Sequence, residues 1–191
     1  MDVIVAIFGL VLFSPMFLLI AIVIKLDSTT SILYTPQMLG QHGKPFSLLR
    51  FCTMSEHQLT RVGKFLRRYS LDHLPMLVNL LKGDLTLIGP RPMEAQLVDW
   101  ADPIWQQYFK VRPGVFNYAV LKLGKLWTRA RTSHPTLNQE LELEYLQKRS
   151  IRFDLRLFLH ALQALIKSGG NIKARGEPDA DMNEKLEQHS P

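Results

Sequence analysis

Cysteine occurs once in 191 residues, at Cys52, so no internal disulfide can form and a reducing compartment is expected. Zinc-ligand spacings, a glycine-rich phosphate loop, a nucleophile elbow and internal repeats are all missing, which removes the familiar metal, nucleotide and hydrolase signatures. Charge is missing altogether between Val3 and Ile24. As a helix, that run is long enough to cross roughly 30 Å of hydrocarbon. Met1-Asp2 supplies no basic lead-in, and no small-residue cleavage site follows, which argues against a signal peptide. Acidic residues are the minority, 17 against 23 Lys and Arg, giving a formal charge of +6 and a pI near 9.5. That balance suits an anionic partner: nucleotide, nucleic acid or acidic lipid. The length suits one domain with a real core.

Ser14-Pro15 interrupts the apolar run. Proline removes one backbone hydrogen bond and bends a helix, and Ser14 can bond the carbonyl that proline frees. Two geometries follow: a kinked single span, or two half-helices entering and leaving by the same face. Past Lys25 the chain turns basic, with Lys44, Arg50, Arg61, Lys64, Arg67 and Arg68, which places the body on the cytoplasmic side. Ser31 to Tyr34 and Pro45 to Met54 read as short strands around the turn residues Gly40 and Gly43, a small antiparallel hairpin. Leu59, Val62, Phe65, Leu66 and Tyr69 recur at helical spacing among basic residues, a basic amphipathic helix suited to an anionic bilayer surface or simply to solvent.

Val98 to Val111 carries Trp100, Trp105, Tyr108 and Phe109, which suit a membrane interface or a core. Glu140 to Tyr145 reads as helix, and Ile151 to Lys167 as a second helix, too polar to span and too apolar to stand free. Ser168 to Pro191 is rich in Gly, Pro and charge and reads as a mobile tail. His42, His57, His134 and His160 read as surface or packing residues.

The chemistry concentrates in Ser70 to Pro92. Ser70 is a suitable N-cap and Pro75 belongs in a first helical turn, so a helix is expected to begin near Leu71 to His73, with Asp72 at its positive end. There a carboxylate is held ionised, as a nucleophile or metal ligand needs, or it simply caps the helix. In Gly89-Pro90-Arg91-Pro92 two prolines restrict the backbone around one arginine, holding its planar fork toward an anion or toward a structural salt bridge. Arg112-Pro113-Gly114 fixes a second arginine beside a turn. Together these features point to a phosphate-containing substrate.

The motifs, taken in order, resemble the monotopic bacterial phosphoglycosyl transferases, or bacterial sugar transferases, from about Asp2 to Lys167. The carriers are Ser14-Pro15, Gly43-Lys44-Pro45-Phe46, Arg50-Phe51 with Met54, and Val62-Gly63-Lys64-Phe65-Leu66-Arg67. They continue with Ser70-Leu71-Asp72, Leu74-Pro75, Asn79, Lys82-Gly83-Asp84, Gly89-Pro90-Arg91-Pro92, Arg112-Pro113-Gly114 and Asp154.

The resemblance implies an α+β, mostly α fold: a re-entrant membrane segment over 1–26 broken at Ser14-Pro15, a small cytoplasmic domain of amphipathic helices and a short hairpin over 27–167, and the tail 168–191. It implies transfer of a sugar phosphate from a UDP-sugar to polyprenol phosphate at the cytoplasmic face of the inner membrane, releasing UMP, with Mg2+. Asp72 is then the nucleophile, with His73 orienting it or relaying a proton. Arg91, Arg112 and Arg50 bind phosphate, and Asp72 with Glu142, Asp84 or Glu94 holds the metal. The partners are those two substrates and membrane lipid, with no nucleic acid; a homodimer is left open.

Several positions depart from the family pattern. His73 stands where the family has Glu, Met76 where it has Gln, and Cys52 where it has Arg. Pro36-Gln37-Met38 replaces Gln-x-Arg, and Val115-Phe116-Asn117-Tyr118-Ala119-Val120 replaces a smaller, more polar run. Glu142 is the surviving acid before Tyr145. A rival reading is therefore a non-catalytic relative that binds a partner, a lipid phosphate or a nucleotide. A third, an anchored nucleic-acid-binding body, lacks a nucleic-acid motif.

Overall fold

The apolar run becomes one uninterrupted helix, α1 (Asp2–Asp27), in a computed structural model that describes residues 2–56, 58–123 and 135–167. Pro15 cannot supply the N–H that would bond the Val11 carbonyl, and Ser14 Oγ donates to that carbonyl instead, at 2.9 Å. Ser14 thus does what its place before proline anticipates, and no second half-helix splits off. Ala6, Gly9, Ile20 and Ile24 are buried against the body, whereas Ile4, Phe8, Val11, Leu18 and Leu26 face outward. Among the described residues this is the one helix long and apolar enough to cross a membrane. Both of its ends are tied to the same body. Thr86 Oγ1 donates to Asp2 Oδ2 at 2.8 Å, and the Val62 N–H donates to Asp27 Oδ2 at 3.0 Å.

Short antiparallel ribbons follow. Strand β1 (Leu33–Tyr34) pairs with β4 (Arg50–Phe51), and β2 (Gln37–Leu39) pairs with β3 (Pro45–Ser47) with Met38 opposite Phe46. The first pair joins the two segments expected to form the hairpin; the second, whose β2 lies outside them, makes the turn at Gly40 and Gly43. Its turn needs Gly43 at φ +69, where a Cβ would meet Trp100 at 2.7 Å. The expected strand Pro45 to Met54 is divided among β3, β4 and a separate ribbon, β5 (Met54–Ser55) with β6 (Gln58–Leu59).

Helix α2 (Arg61–Arg68) starts at Thr60, whose Oγ1 accepts the Gly63 N–H at 2.8 Å. It buries Gly63 and Leu66 and exposes Phe65 with its basic residues, as its amphipathic pattern requires.

The expected helix start at Leu71 to His73 is corrected. Residues Leu71–His73 form a 3-10 turn, and helix α3 begins only at Met76 (Met76–Lys82), with Pro75 as its N-cap residue. Ser70 lies in the left-handed region at φ +56 and its side chain makes no cap, while Pro75 has no N–H to carry a helix across the junction. Asp72 therefore sits in the turn ahead of the helix rather than in its first turn.

A parallel pair, β7 (Thr86–Ile88) with β8 (Gly114–Phe116), forms the centre of the second half; the sequence pattern did not anticipate it. Helix α4 (Pro103–Tyr108) sends Trp105 and Tyr108 into the core, with Phe109 just beyond it, while Trp100 stays exposed. Helices α5 (Tyr118–Leu123), α6 (Pro135–Lys148) and α7 (Ile151–Lys167) close the fold. Their buried faces, including Leu121, Leu141, Tyr145, Leu157 and Ala161, meet Ala6 of α1 and Leu80 of α3 in one cluster.

The chain is mostly helical with a few short strand pairs. His42 and His160 are exposed, as expected; His57, His134 and the tail 168–191 lie outside the described residues.

Candidate functional site

Asp72 is 8% exposed although it sits in a short turn near the surface, because Leu71 and Leu74 on either side of it pack against Ile20 and Ile24 of α1. Its Oδ2 lies 3.8 Å from His73 Nε2. Strand β4 brings Arg50 to the same turn. Burial holds the Arg50 guanidinium below its ordinary pKa, opposed by the Asp72 carboxylate, which favours its charge, and aided by nearby Arg67. Arg50 Nε is buried with no hydrogen-bond partner among the described residues. A buried donor left without an acceptor costs free energy unless a ligand satisfies it, and a phosphate oxygen is a fitting acceptor. Arg67 is anchored close by, its Nε donating to the buried Thr53 Oγ1 at 2.9 Å.

A second group forms around Arg91. Tyr108 Oη donates to the Arg91 carbonyl at 2.8 Å, which fixes the backbone between the two prolines. Glu142, on α6, is 4% exposed, and its Oε2 has no hydrogen-bond partner among the described residues. Burial pushes its pKa up to about 8, against a hydrogen bond from the Ala119 N–H and the attraction of Arg91. Burial also raises the Tyr108 phenol well above its ordinary value, with Glu142 adding to the effect.

Arg112 is exposed, with Nη1 about 3.5 Å from where a Cβ on Gly83 would lie. The Gly114 N–H donates to the Pro90 carbonyl at 2.8 Å, so the two Pro-flanked turns rest on each other. Asp84 accepts a hydrogen bond from Asn79 at 2.9 Å, and Glu94 accepts one from Gln96 at 2.7 Å.

The structure thus brings Arg50, Asp72 and His73 together, and couples Arg91 to Glu142. Sequence reasoning passed over Arg67 as one basic residue among several, Thr53 entirely, and Tyr108 as an aromatic without a polar task. Asn79 was noted only as part of a motif. It is 1% exposed and holds Leu49 N, Ser47 O and Asp84 Oδ2 at 2.8 to 2.9 Å, joining the hairpin to the end of α3. Its spacing from Met76 and Leu80 on one helical face is the signal that marks a buried polar residue.

The acidic residues do not form an all-protein magnesium cage, which leaves one or two carboxylates with substrate phosphates and water as the manner in which the ion would be held. Magnesium selects charged or neutral oxygen ligands in near-octahedral array. Among the described residues no three His, Cys, Asp or Glu side chains cluster. Asp72, beside Arg50 and His73, could supply one such oxygen.

The bacterial sugar transferase family model matches residues 1–168. The chain is 28% identical to the UDP-N-acetylgalactosamine-undecaprenyl-phosphate N-acetylgalactosaminephosphotransferase of Aeromonas hydrophila, over 89% of this chain and 44% of that protein. It is 31% identical to the UDP-glucose:undecaprenyl-phosphate glucose-1-phosphate transferase of Caulobacter vibrioides, over 87% of this chain and 68% of that one. With the exopolysaccharide production protein ExoY of Sinorhizobium fredii it shares 28% identity, over 89% of this chain and 85% of that one.

Proposed function

Because the chain belongs to the bacterial sugar transferase family, we propose that it is a membrane-bound transferase that moves a sugar phosphate from a UDP-sugar to polyprenol phosphate and releases UMP. The observation that carries this reading is the buried Asp72 beside Arg50, whose Nε has no partner among the described residues. In the first step an Asp72 carboxylate oxygen attacks the β-phosphorus. The bond from that phosphorus to the bridging oxygen breaks, and the electron pair leaves with UMP. In the second step a polyprenol phosphate oxygen attacks the same phosphorus, the aspartyl–phosphorus bond breaks, and the carboxylate is restored. A carboxylate nucleophile splits one difficult transfer into two easier ones.

Arg50 neutralises charge on the diphosphate, His73 orients Asp72, and Arg91 and Arg112 hold phosphate oxygens from their proline-restricted turns. No step is assigned to a metal. The body, residues 27–167, lies on the cytoplasmic face, and α1 rests in the leaflet on that side with both of its ends held at the body. Support for this topology comes from the two hydrogen bonds that tie Asp2 and Asp27 at opposite ends of α1 to one body.

UMP release from UDP-sugars with polyprenol phosphate, in nanodiscs, tests the reading. Asp72→Asn abolishes turnover and the trapped phosphosugar adduct. Release that survived this substitution would overturn the mechanism.

A second reading keeps the fold and the membrane but not the turnover. It is favoured by His73, which stands where the family has Glu. If the wild type releases no UMP and His73→Glu restores none, the chain is a binding subunit.

A further inference from the structure

Pro90 and Pro92 fix their own φ angles and keep Arg91 in extended backbone, but they leave roughly 40° of ψ at Arg91 open. Rotation of that size carries a guanidinium out of hydrogen-bond range of a fixed ligand. What narrows it is the set of donors that hold the carbonyls of this stretch from outside. The Pro90 carbonyl accepts the Gly114 N–H at 2.8 Å, and the Met93 carbonyl accepts the Leu39 N–H at 2.7 Å. The Ile88 and Arg91 carbonyls accept phenols instead: Tyr145 Oη donates to the first at 3.1 Å and Tyr108 Oη to the second at 2.8 Å.

The two tyrosines come from different helices, α6 and α4, and their bonds fall on either side of Pro90. Tyr145 is 0% exposed and Tyr108 4%. Their rings are held by other rings. Tyr108 packs on Trp105 and Phe109, with centroids 5.2 and 5.5 Å away, and Tyr145 on Tyr118 and Phe153, each at 6.3 Å. Phenylalanine would fill either place equally well, and a buried hydroxyl costs free energy unless it is bonded. The hydroxyls therefore serve the loop and not the core.

The two bonds are unequal. A phenol has one hydrogen to donate. Tyr145 faces a second acceptor, Asp154 Oδ1 at 3.0 Å, so its hydrogen is divided between Asp154 and Ile88.

We propose that Tyr108 and Tyr145 are positioning residues: their hydroxyls set the pitch of the stretch from Ile88 to Arg91 and thereby hold the Arg91 guanidinium where it receives the diphosphate of the donor. Tyr108, with the shorter and undivided bond, has the larger effect. The inference rests on the phosphate-binding role given to Arg91 above, and not on turnover.

Binding of UDP to the full chain in nanodiscs, followed by calorimetry, tests it. Tyr108→Phe keeps the ring, removes the hydroxyl and weakens UDP binding roughly three- to tenfold, the effect of one lost hydrogen bond. Tyr145→Phe weakens it less, and Tyr108→Phe decides alone if that variant does not fold. In an Arg91→Gln background, which itself binds UDP less tightly, neither substitution weakens binding further, because each acts through the guanidinium. Tyr118→Phe is the control: it removes a phenol that is 8% exposed and donates to Glu144 at 3.1 Å, and it leaves UDP affinity unchanged.

Equal losses in the wild-type and Arg91→Gln backgrounds overturn the proposal, because a general weakening of the fold takes no account of Arg91. So does a Tyr118→Phe loss as large as that of Tyr108→Phe, and so does a Tyr108→Phe protein that melts lower yet binds UDP as the wild type does. A wild type that binds UDP with the expected coupling but releases no UMP counts against transfer alone and leaves the positioning role in place. A wild type that binds no UDP removes the role of Arg91 and the proposal with it.

Discussion

Replacing Glu142 with Gln removes a charge that the fold excludes, and the gain depends on pH in a definite direction. Burial raises the carboxyl from 4.5 to about 8, with the Ala119 N–H and Arg91 only partly opposing it. Between these values the folded chain keeps a proton that the unfolded chain has released. The stability this proton contributes is therefore full below about pH 4.5 and falls steadily as pH rises to about 8. At about 1.4 kcal/mol per pH unit, the interval amounts to roughly 5 kcal/mol at most.

For a chain of this length, about 2 to 4 °C accompanies each kcal/mol, so the wild-type melting midpoint falls by roughly 10 to 20 °C across that range. Gln is uncharged throughout, retains an oxygen for the Ala119 N–H, and presents an NH2 where the protonated acid presents its O–H. Glu142→Gln therefore melts near the wild type at pH 5 and well above it at pH 8, with a flatter profile. Thermal unfolding followed by circular dichroism in detergent, at half-unit steps from pH 5 to 9, measures both curves. If Gln instead lowers the midpoint more at pH 8 than at pH 5, the carboxylate is ionised and its attraction to Arg91 outweighs desolvation.

Asn79→Ala strands the Leu49 N–H, the Ser47 carbonyl and Asp84 in a buried setting, so it lowers stability by roughly 2 to 4 kcal/mol; urea unfolding with an unchanged slope checks this, and a loss below about 0.5 kcal/mol contradicts the assigned role. Gly63→Ala drives a Cβ into the Thr53 carbonyl oxygen, a backbone atom that cannot step aside, so α2 shifts and Arg67 leaves Thr53; soluble yield and melting midpoint both fall, whereas Lys64→Ala on the exposed face changes neither by much. Single cysteines at Asp2 and Asp27, in a Cys52→Ser background, both react with an impermeant maleimide added from the cytoplasmic side of inverted vesicles; labelling of one end alone establishes a span.

Much of this architecture was legible because it depends on local rules. The apolar run is helical and Ser14 bonds the carbonyl that Pro15 frees, as its place before proline anticipates, although the break implied at Ser14-Pro15 is not there; Ile151 to Lys167 is helical over its whole expected length. The start of α3 was misread because proline tolerates two neighbouring positions. The left-handed Ser70 decides between them, and nothing about serine alone announces that conformation. The β7/β8 pair was invisible because Thr86 and Gly114 are brought together by tertiary packing across an intervening helix. At the site, the acid and the proline-restricted arginines were identified from sequence. The approach of Arg50 to Asp72 comes from β1/β4 pairing, and the burial of Glu142 from packing among α5, α6 and α7, neither of which leaves a trace in residue spacing.

The residues bracketing Asp72, and Phe51 beside Arg50, are wedged against Met16, Phe17, Ile20 and Ile24. Close-packed interiors transmit displacement rather than absorb it. The carboxylate is thus geared to the greasy rod beside it. If Asp72 acts as proposed, where that rod floats and how steeply it leans set the height at which its oxygen would meet a lipid-borne phosphate, so bilayer thickness and lateral pressure would become dimensions of the site itself.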